Sequence, residues 1–346
     1  MLKKLFSIEK KNLHYIVRFF GLKLKIRNTR KQNEEFRKMQ LQLKRLQIPS
    51  IYNANLTESQ KIWFLSRKFY EEVGYFPDFK KPKSFNEKIN YLKLNYYNPL
   101  EKRIIDKYEF KGYIETILGP GYTIPLIGVY DDVNDIDFNA LPERFVIKIT
   151  TLGSGEGVEI IKDKSNVNID SLKYKLNNLL QEWNSIYYYC LSAGYKDIKP
   201  RIIIEEYMPI REGKAIEYKM FCFHGEMKFC LVECDFFGKK PRRALYDREF
   251  KTLPFKIGKI EYSSLSFKPD SYNRMVELAE KLAADFPHVR VDFYDVNGKI
   301  YVGEMTFTSA GGFSIFTPRE WDFKIGEYLD LNKLNPEYVK IVDEFK

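Results

Sequence analysis

Arg290, Asp292, Glu304 and Thr306 fall in a stretch from Val289 to Thr306 that alternates apolar and polar residues on both sides of Asn297-Gly298. Alternation with period two marks two strands, and Asn-Gly between them is a strong hairpin signal. Whether the four residues meet depends on register. A two-residue turn at Asn297-Gly298 sets Asp292 opposite Gly303 and sends Glu304 to the other face. A three-residue loop, Val296 to Gly298, with Gly298 left-handed in a bulge, sets Arg290 opposite Glu304 and Asp292 opposite Val302. All four side chains then share one face, so the expectation is the odd-length loop. Two carboxylates and a hydroxyl form a hard oxygen site suited to Mg²⁺. An arginine beside them suits a phosphoryl oxygen or a developing oxyanion. A cross-strand Arg290–Glu304 ion pair on a solvated face accounts for the same residues without chemistry.

A second group lies upstream. The apolar run Phe145-Val146-Ile147 closes on Lys148, just before the loop Gly153-Ser154-Gly155-Glu156-Gly157. Glycines let backbone N–H groups approach phosphate oxygens. No Gly-Lys-Ser/Thr follows and no helix starts there, so neither a P-loop nor a dinucleotide fingerprint is present. Lys148 either reaches solvent or points at a phosphate. Asp135-Ile136-Asp137 has the spacing of a metal-dependent glycosyltransferase motif but sits in turn-like text, and reads as a loop. No Ser-His-Asp or Cys-His arrangement stands out.

The elements that must position these groups are legible in outline. Thr57 with Gln60 reads as a capping box opening a helix to about Val73. Ser84 to Glu87 opens a second helix, and residues 100–118 form a third that contains Lys107 and ends at Gly119-Pro120-Gly121. Residues 123–129, 144–149, 158–161 and 201–207 read as strands, with a helix over 170–192. A hairpin of residues 216–223 and 226–233 turns at His224-Gly225. A helix over 270–285 precedes strands 289–294 and 299–307. Recurring hairpins argue against a doubly wound parallel sheet and for an α+β architecture.

Composition bounds the alternatives. The chain has 346 residues, 44% hydrophobic and 16% aromatic, which excludes a disordered protein. No stretch approaches a membrane span, and Lys10, Lys11 and Arg18 break up any signal-peptide pattern. Four cysteines (Cys190, Cys222, Cys230, Cys234) form no C-x-x-C pair and read as reduced thiols. Three scattered histidines make a His-based zinc site improbable. The net charge of +10 is concentrated: residues 1–50 hold nine Lys and five Arg against three Glu, so the remainder carries −1. A body without net basicity is not the expected nucleic-acid binder. Residues 1–30 mix basic and apolar residues, and fit equally an arm lying on an anionic membrane and a solvated arm. Residues 30–48 read as a polar helix.

Taken in order, several segments resemble the ATP-grasp superfamily: Asp106-Lys107, Lys148 with the glycine loop, Ile204 to Met208, Glu217-x-Lys219, and Arg290-x-Asp292 with Glu304-x-Thr306 and Gly311. The phrases Ser84 to Ile89, Lys199 to Tyr207, Tyr218 to Gly225 and Gly303 to Phe307 are similar to the TupA-like branch. That branch is found in bacterial capsule, teichuronopeptide and surface-polysaccharide gene clusters. The resemblance covers about residues 55–332. It implies an ATP-grasp fold of two α+β subdomains, preceded by a helical N-terminal region. It implies that Lys107 and Lys148 contact ATP, that Gly153, Ser154 and Gly155 belong to a lid, and that Glu205, Glu206, Tyr207 and Met208 form the adenine-reading hinge. Glu217 resembles the ribose acid, Lys219 a further nucleotide contact, Asp292, Glu304 and Thr306 the Mg²⁺ ligands, and Arg290 the catalytic arginine. Two positions depart from the pattern: Thr306 stands where Asn is common, and Thr151-Leu152 where Asn-His is common.

The resulting expectation is an ATP-dependent carboxylate–amine ligase working through an acyl phosphate in surface-polysaccharide assembly, with a sugar-nucleotide glycosyltransferase as the alternative. ATP and Mg²⁺ are the expected cofactors. The partners are a carboxylate, a uronic acid being the leading class, and an amine, without nucleic acid. The location is cytoplasmic, with peripheral contact of the basic arm to the inner membrane left open. The expected divisions are a basic arm (1–50), a helical pre-grasp region (51–140), the ATP-grasp domain (141–332) and a tail (333–346).

Overall fold

A computed structural model describes residues 6–11, 14–19, 22–27, 56–153, 155–181, 185–208, 216–234, 242–263 and 268–345. Two units emerge, Met1–Leu56 and Thr57–Lys346, each described by itself. In the first, β1 (Phe6–Lys11), β2 (His14–Phe19) and β3 (Leu22–Arg27) form an antiparallel sheet in that order. The arm expected over residues 1–30, read there as lying on a membrane or solvated, thus holds strands, while the helices that precede the grasp fold run from Glu58 to Leu118. Leu22-Lys23-Leu24-Lys25-Ile26-Arg27 alternates apolar and basic residues with strand period, which a reading of charge alone overlooks. The polar helix expected over 30–48 lies outside the described residues.

In the second unit the two capping boxes form. Thr57 caps α1 (Glu58–Val73) with Gln60, and Ser84 caps α2 (Phe85–Asn95) with Glu87, each reciprocally. The third helix is broken. Asp106 Oδ1 accepts from the backbone N–H groups of Tyr108 and Glu109, ending α3 (Pro99–Ile105) and starting α4 (Glu109–Leu118). Short acidic side chains compete with the helix in this way. The break hands the Lys107 N–H to the Thr150 carbonyl at 3.2 Å.

β4 (Leu126–Tyr130), β5 (Phe145–Ile149), β6 (Val158–Ile161) and β7 (Ile202–Glu206) build an antiparallel sheet ordered β4-β7-β5-β6. Phe145, Ile147, Ile149, Ile202 and Ile204 pack beneath it against Leu172 and Leu176 of α5 (Ile169–Leu180). The helix expected over 170–192 is two: α5 and α6 (Ser185–Cys190). Asp135 ends a short 3₁₀ turn, and Ile136 points into this core, so the Asp135–Asp137 segment is the loop expected of it.

A six-stranded sheet carries the rest. It contains β8 (Ile216–Phe223), β9 (Glu226–Cys234), β10 (Arg242–Asp247), β12 (Glu261–Tyr262), β13 (His288–Val296) and β14 (Lys299–Thr306), ordered β12-β10-β9-β8-β13-β14. β11 (Lys256–Ile257) pairs with β15 (Phe316–Thr317). Tyr218, Met220, Cys222, Cys230, Val291 and Phe293 pack on Tyr272, Met275, Leu278 and Leu282 of α7 (Tyr272–Ala283). Each such burial contributes about 1.5–3 kcal/mol, which fixes the strand register. Period two then turns Glu217, Lys219, Arg290 and Asp292 to the opposite face. All four cysteines are buried free thiols.

α2 ties this sheet to the C-terminal segments. Asn86 donates its backbone N–H and its side-chain amide to Asp322 of α8 (Glu320–Gly326) and exchanges hydrogen bonds with Ser314. Lys93 Nζ donates to the Cys190 and Gly311 carbonyls at 2.7 Å each.

Candidate active site

The β13–β14 turn has two residues, Asn297 and Gly298, both with positive φ, and Val296 pairs with Lys299. That is the even register that sends Glu304 to the wrong face. The expected three-residue loop is absent. The correction comes six residues along: pairing runs to Phe293 with Val302, then shifts, so that Asp292 faces Glu304 and Arg290 faces Thr306. The unpaired residue is Gly303, a bulge of the kind that re-aims side chains. A Cβ at Gly303 would lie 2.6 Å from the Tyr294 ring, which explains the glycine. The shared face forms, by a bulge rather than by the loop.

On that face Arg290 clamps Asp292 bidentately, Nε to Oδ1 and Nη2 to Oδ2 at 2.6 Å each. Nη2 stands 3.9 Å from Glu304 Oε2. Asp292 is fully buried. Burial pushes its carboxyl up to about 6 against the pull of Arg290 and Lys219. Burial also pushes Glu304 up, but Arg290, Lys107 and Lys219 outweigh it and hold that carboxyl below its usual value. Thr306 Oγ1 is buried and makes no hydrogen bond, although it lies near enough to Glu304 to help hold that carboxyl down.

The adjacent strands extend the charged row. Lys219 Nζ lies 2.9 Å from Glu217, 2.9 Å from Glu233 and 3.4 Å from Asp292. Burial works against this ammonium, and Asp292 and Glu217 more than restore its charge. Tyr294 Oη donates to Glu217 at 3.0 Å. Glu233 also takes the Arg243 guanidinium. Glu233 and Arg243 were missed in the sequence. The available signal was a carboxylate inside the apolar run Phe229 to Cys234, since such residues are seldom buried unpaired.

Facing this row across a narrow gap are residues of the smaller sheet and its preceding helix. Glu205 on β7, almost fully buried, takes Lys111 on Oε1 and Lys148 on Oε2, at 2.5 Å each. Burial raises its carboxyl, and the two lysines overcome that and hold it at about 2. Lys107 Nζ donates to the Leu152 carbonyl at the root of the glycine loop; burial lowers its ammonium, while Glu304 across the gap pulls it back. Lys107, Lys111, Lys148 and Glu205 from one side, and Val302 and Gly303 from the other, line one small cavity. Lys111 was not anticipated, because a continuous helix through 100–118 hid the break that aims it inward.

The remaining expected residues are placed as follows. Gly155 and Gly157 hold positive φ in the loop, Gly153 lies beside Ile186, and Ser154 lies outside the described residues. Of the hinge, Glu206 is exposed, away from Glu205. The Tyr207 ring lies under Arg144 at 4.1 Å. Met208 packs on the cluster of Ile124 and Tyr301, which brings it to the hairpin. Among the described residues no group of three or more His, Cys, Asp or Glu forms a metal cluster. Two carboxylates with a buried, unpartnered hydroxyl nonetheless fit a hard divalent cation that keeps waters and phosphate oxygens as its other ligands.

Residues 87–330 match the family model described as TupA-like ATPgrasp. No curated protein matches the chain. Among solved structures, D-Alanine-D-Alanine ligase from Helicobacter pylori is 18% identical, covering 65% of this chain and 60% of its own, with a TM-score of 0.35. N5-Carboxyaminoimidazole synthetase from Staphylococcus aureus, complexed with ADP, is 15% identical, covering 59% and 44%, at 0.34. A RimK domain protein ATP-grasp from Sphaerobacter thermophilus is 12% identical, covering 66% and 69%, at 0.37. The chain thus spans less than two thirds of the first two proteins.

Proposed function

Because this chain belongs to the TupA-like ATP-grasp family, we propose that it is an ATP-dependent carboxylate–amine ligase acting in bacterial surface-polysaccharide assembly. The observation that carries this reading is the meeting of two charged groups from separate sheets. Lys107 and Lys148 line one side of a small cavity whose other wall is Val302 and Gly303 of the hairpin, and Lys107 feels the charge of Glu304 on that hairpin. Cations facing a carboxylate–arginine row suit a polyphosphate between them.

In this reading Lys107 and Lys148 hold ATP phosphates. Glu205 to Met208 border the adenine, Glu217 takes the ribose, and Lys219 approaches the transferred phosphoryl group. The loop around Gly153 and Gly155 covers the phosphates and excludes water. Asp292, Glu304 and Thr306 would hold Mg²⁺, which would supply neutralisation of the phosphate charge. Transfer of the γ-phosphoryl group to a carboxylate gives an acyl phosphate and ADP. An amine nitrogen attacks the acyl carbon, Arg290 steadies the tetrahedral oxyanion, and the C–O bond to phosphate breaks as the amide forms. For Arg290 to do so it must release Asp292, and a bound Mg²⁺ would supply the positive charge that Asp292 then needs.

A uronic acid is the favoured carboxylate, an inference from the resemblance to capsule and teichuronopeptide proteins. The same resemblance supports a cytoplasmic location, and the basic charge of residues 1–50 would favour peripheral contact with an anionic membrane. Among the described residues no helix is long and apolar enough to cross a membrane. The glycosyltransferase alternative draws no support from Asp135–Asp137, whose middle residue is buried in a core. The test is release of ADP and phosphate from MgATP with a panel of uronic acids and amines. Turnover that needs both co-substrates supports the ligase. Consumption of a sugar nucleotide without ATP turnover overturns it.

A further inference from the structure

We infer that Lys111 is a positioning residue for the nucleotide: it keeps Glu205 ionised and seated when Lys148 leaves it for a phosphate. The inference rests on the ligase reading, in which Lys148 engages ATP.

Three observations support it. Each oxygen of Glu205 has its own lysine, at the same 2.5 Å separation. Both oxygens are thus ion-paired, but the Lys148 contact lacks hydrogen-bond geometry at Oε2, so a phosphate that draws Lys148 toward itself loosens that contact first. The Glu205 side chain is only 5% exposed, so water cannot replace the lost partner. A buried carboxylate stripped of its counter-ions is strongly unfavourable, whereas one that retains a hydrogen-bonded ammonium is not. Finally, the two lysines differ in freedom. Lys111 stands in the first turn of α4 and also donates to the Ile124 carbonyl at 2.5 Å. Lys148 lines the cavity, and among the described residues Glu205 is the partner recorded for it. One lysine is tied and the other is able to move.

The same arrangement explains why the hinge carboxylate is held by two ammonium groups when one would neutralise it. Lys111 is the resident counter-ion, and Lys148 the exchangeable one. The main chain of β7 beside Glu205, proposed above to border the adenine, then keeps its position during the exchange.

The experiment is calorimetric titration of the full chain with ATP and Mg²⁺. It compares the wild type with Lys111→Met, Lys111→Arg, Glu205→Gln and the Lys111→Met/Glu205→Gln pair, with melting temperatures taken alongside. Lys111→Met is expected to weaken ATP binding by roughly tenfold or more, and Lys111→Arg to restore it to within about threefold. In the Glu205→Gln background no buried charge needs a resident partner, so adding Lys111→Met leaves the affinity unchanged. A folded Lys111→Met protein with wild-type affinity overturns the inference. A loss that persists in the Glu205→Gln background also overturns it, since Lys111 would then touch the nucleotide itself. If Lys111→Met does not fold, the comparison of Glu205→Gln with the pair decides alone. A wild type that binds no ATP refutes the ligase reading instead.

Discussion

Arg290 grips both oxygens of the fully buried Asp292, two residues away on the same strand, in a bidentate pair at 2.6 Å. The arginine thereby supplies, within the protein, the positive charge that a divalent cation brings when it binds. Removing one member of such a pair is costly, because it leaves the other buried and uncompensated.

Asp292→Asn tests this directly. It removes a carboxylate proposed to hold Mg²⁺ and leaves Arg290 and Lys219 short of a counter-charge. ATP turnover is expected to fall by about a hundredfold or more, from loss of charge stabilisation at the phosphates. The thermal shift that Mg²⁺ and ATP together produce in the wild type should disappear. Turnover within threefold of wild type removes Asp292 from the metal site.

The bulge at Gly303 makes the second prediction. A Cβ there meets the Tyr294 ring at 2.6 Å, and Tyr294 holds Glu217. Gly303→Ala should destabilise by roughly 1–3 kcal/mol, the usual cost of overpacking, and weaken ATP binding through Glu217. Pairing it with Tyr294→Ala should recover part of the stability in a double-mutant cycle. Additive losses would mean that the ring and the bulge are independent.

Glu233 gives a third. It is buried between Lys219 and Arg243, and its carboxyl is raised by burial but held down overall by those two cations. Glu233→Gln takes one carboxylate from Lys219 and leaves Glu217 and Asp292 beside it. The melting temperature should drop, by an amount corresponding to about 3–5 kcal/mol for a broken buried pair, and the Mg²⁺ concentration for half-maximal turnover should rise as Lys219 competes harder for Asp292. An unchanged Mg²⁺ requirement would show that Lys219 does not compete.

The pH dependence of stability follows from His288. Burial drives its imidazole down from 6.5 to about 3, and Nδ1 bonds to the Cys222 carbonyl. The unfolded chain takes up a proton below 6.5 that the native state refuses. Stability is therefore full above that value and declines as pH falls toward 3, by up to about 1.4 kcal/mol per unit. His288→Phe, placed among Phe85, Phe221 and Phe223, should flatten the melting temperature between pH 6.5 and 5. A wild-type slope in that variant would assign the dependence elsewhere.

The sequence made local chemistry legible and register less so. Capping boxes at Thr57 and Ser84 were readable because their partners are three residues away. The hairpin was readable because Asn297-Gly298 and alternation are local too. The Gly303 bulge was not, since it depends on a ring packing from the facing strand. The break at Asp106 was hidden for a related reason: apolar spacing alone does not reveal a side chain capping its own backbone, and with the break went Lys111. The strands in residues 6–27 were missed because net charge drew attention away from period. The charged row was found as far as Lys219, but Glu233 and Arg243 acquire meaning only when β9 and β10 are laid beside it.

The most direct measurement follows the oxygen. A uronic acid that supports ATP turnover is labelled with ¹⁸O in its carboxyl group, and the released phosphate is weighed by mass spectrometry after amide formation. Transfer through an acyl phosphate predicts one ¹⁸O in that phosphate for each amide formed. Unlabelled phosphate, or product formed from a sugar nucleotide without ATP, would contradict the ligase assignment.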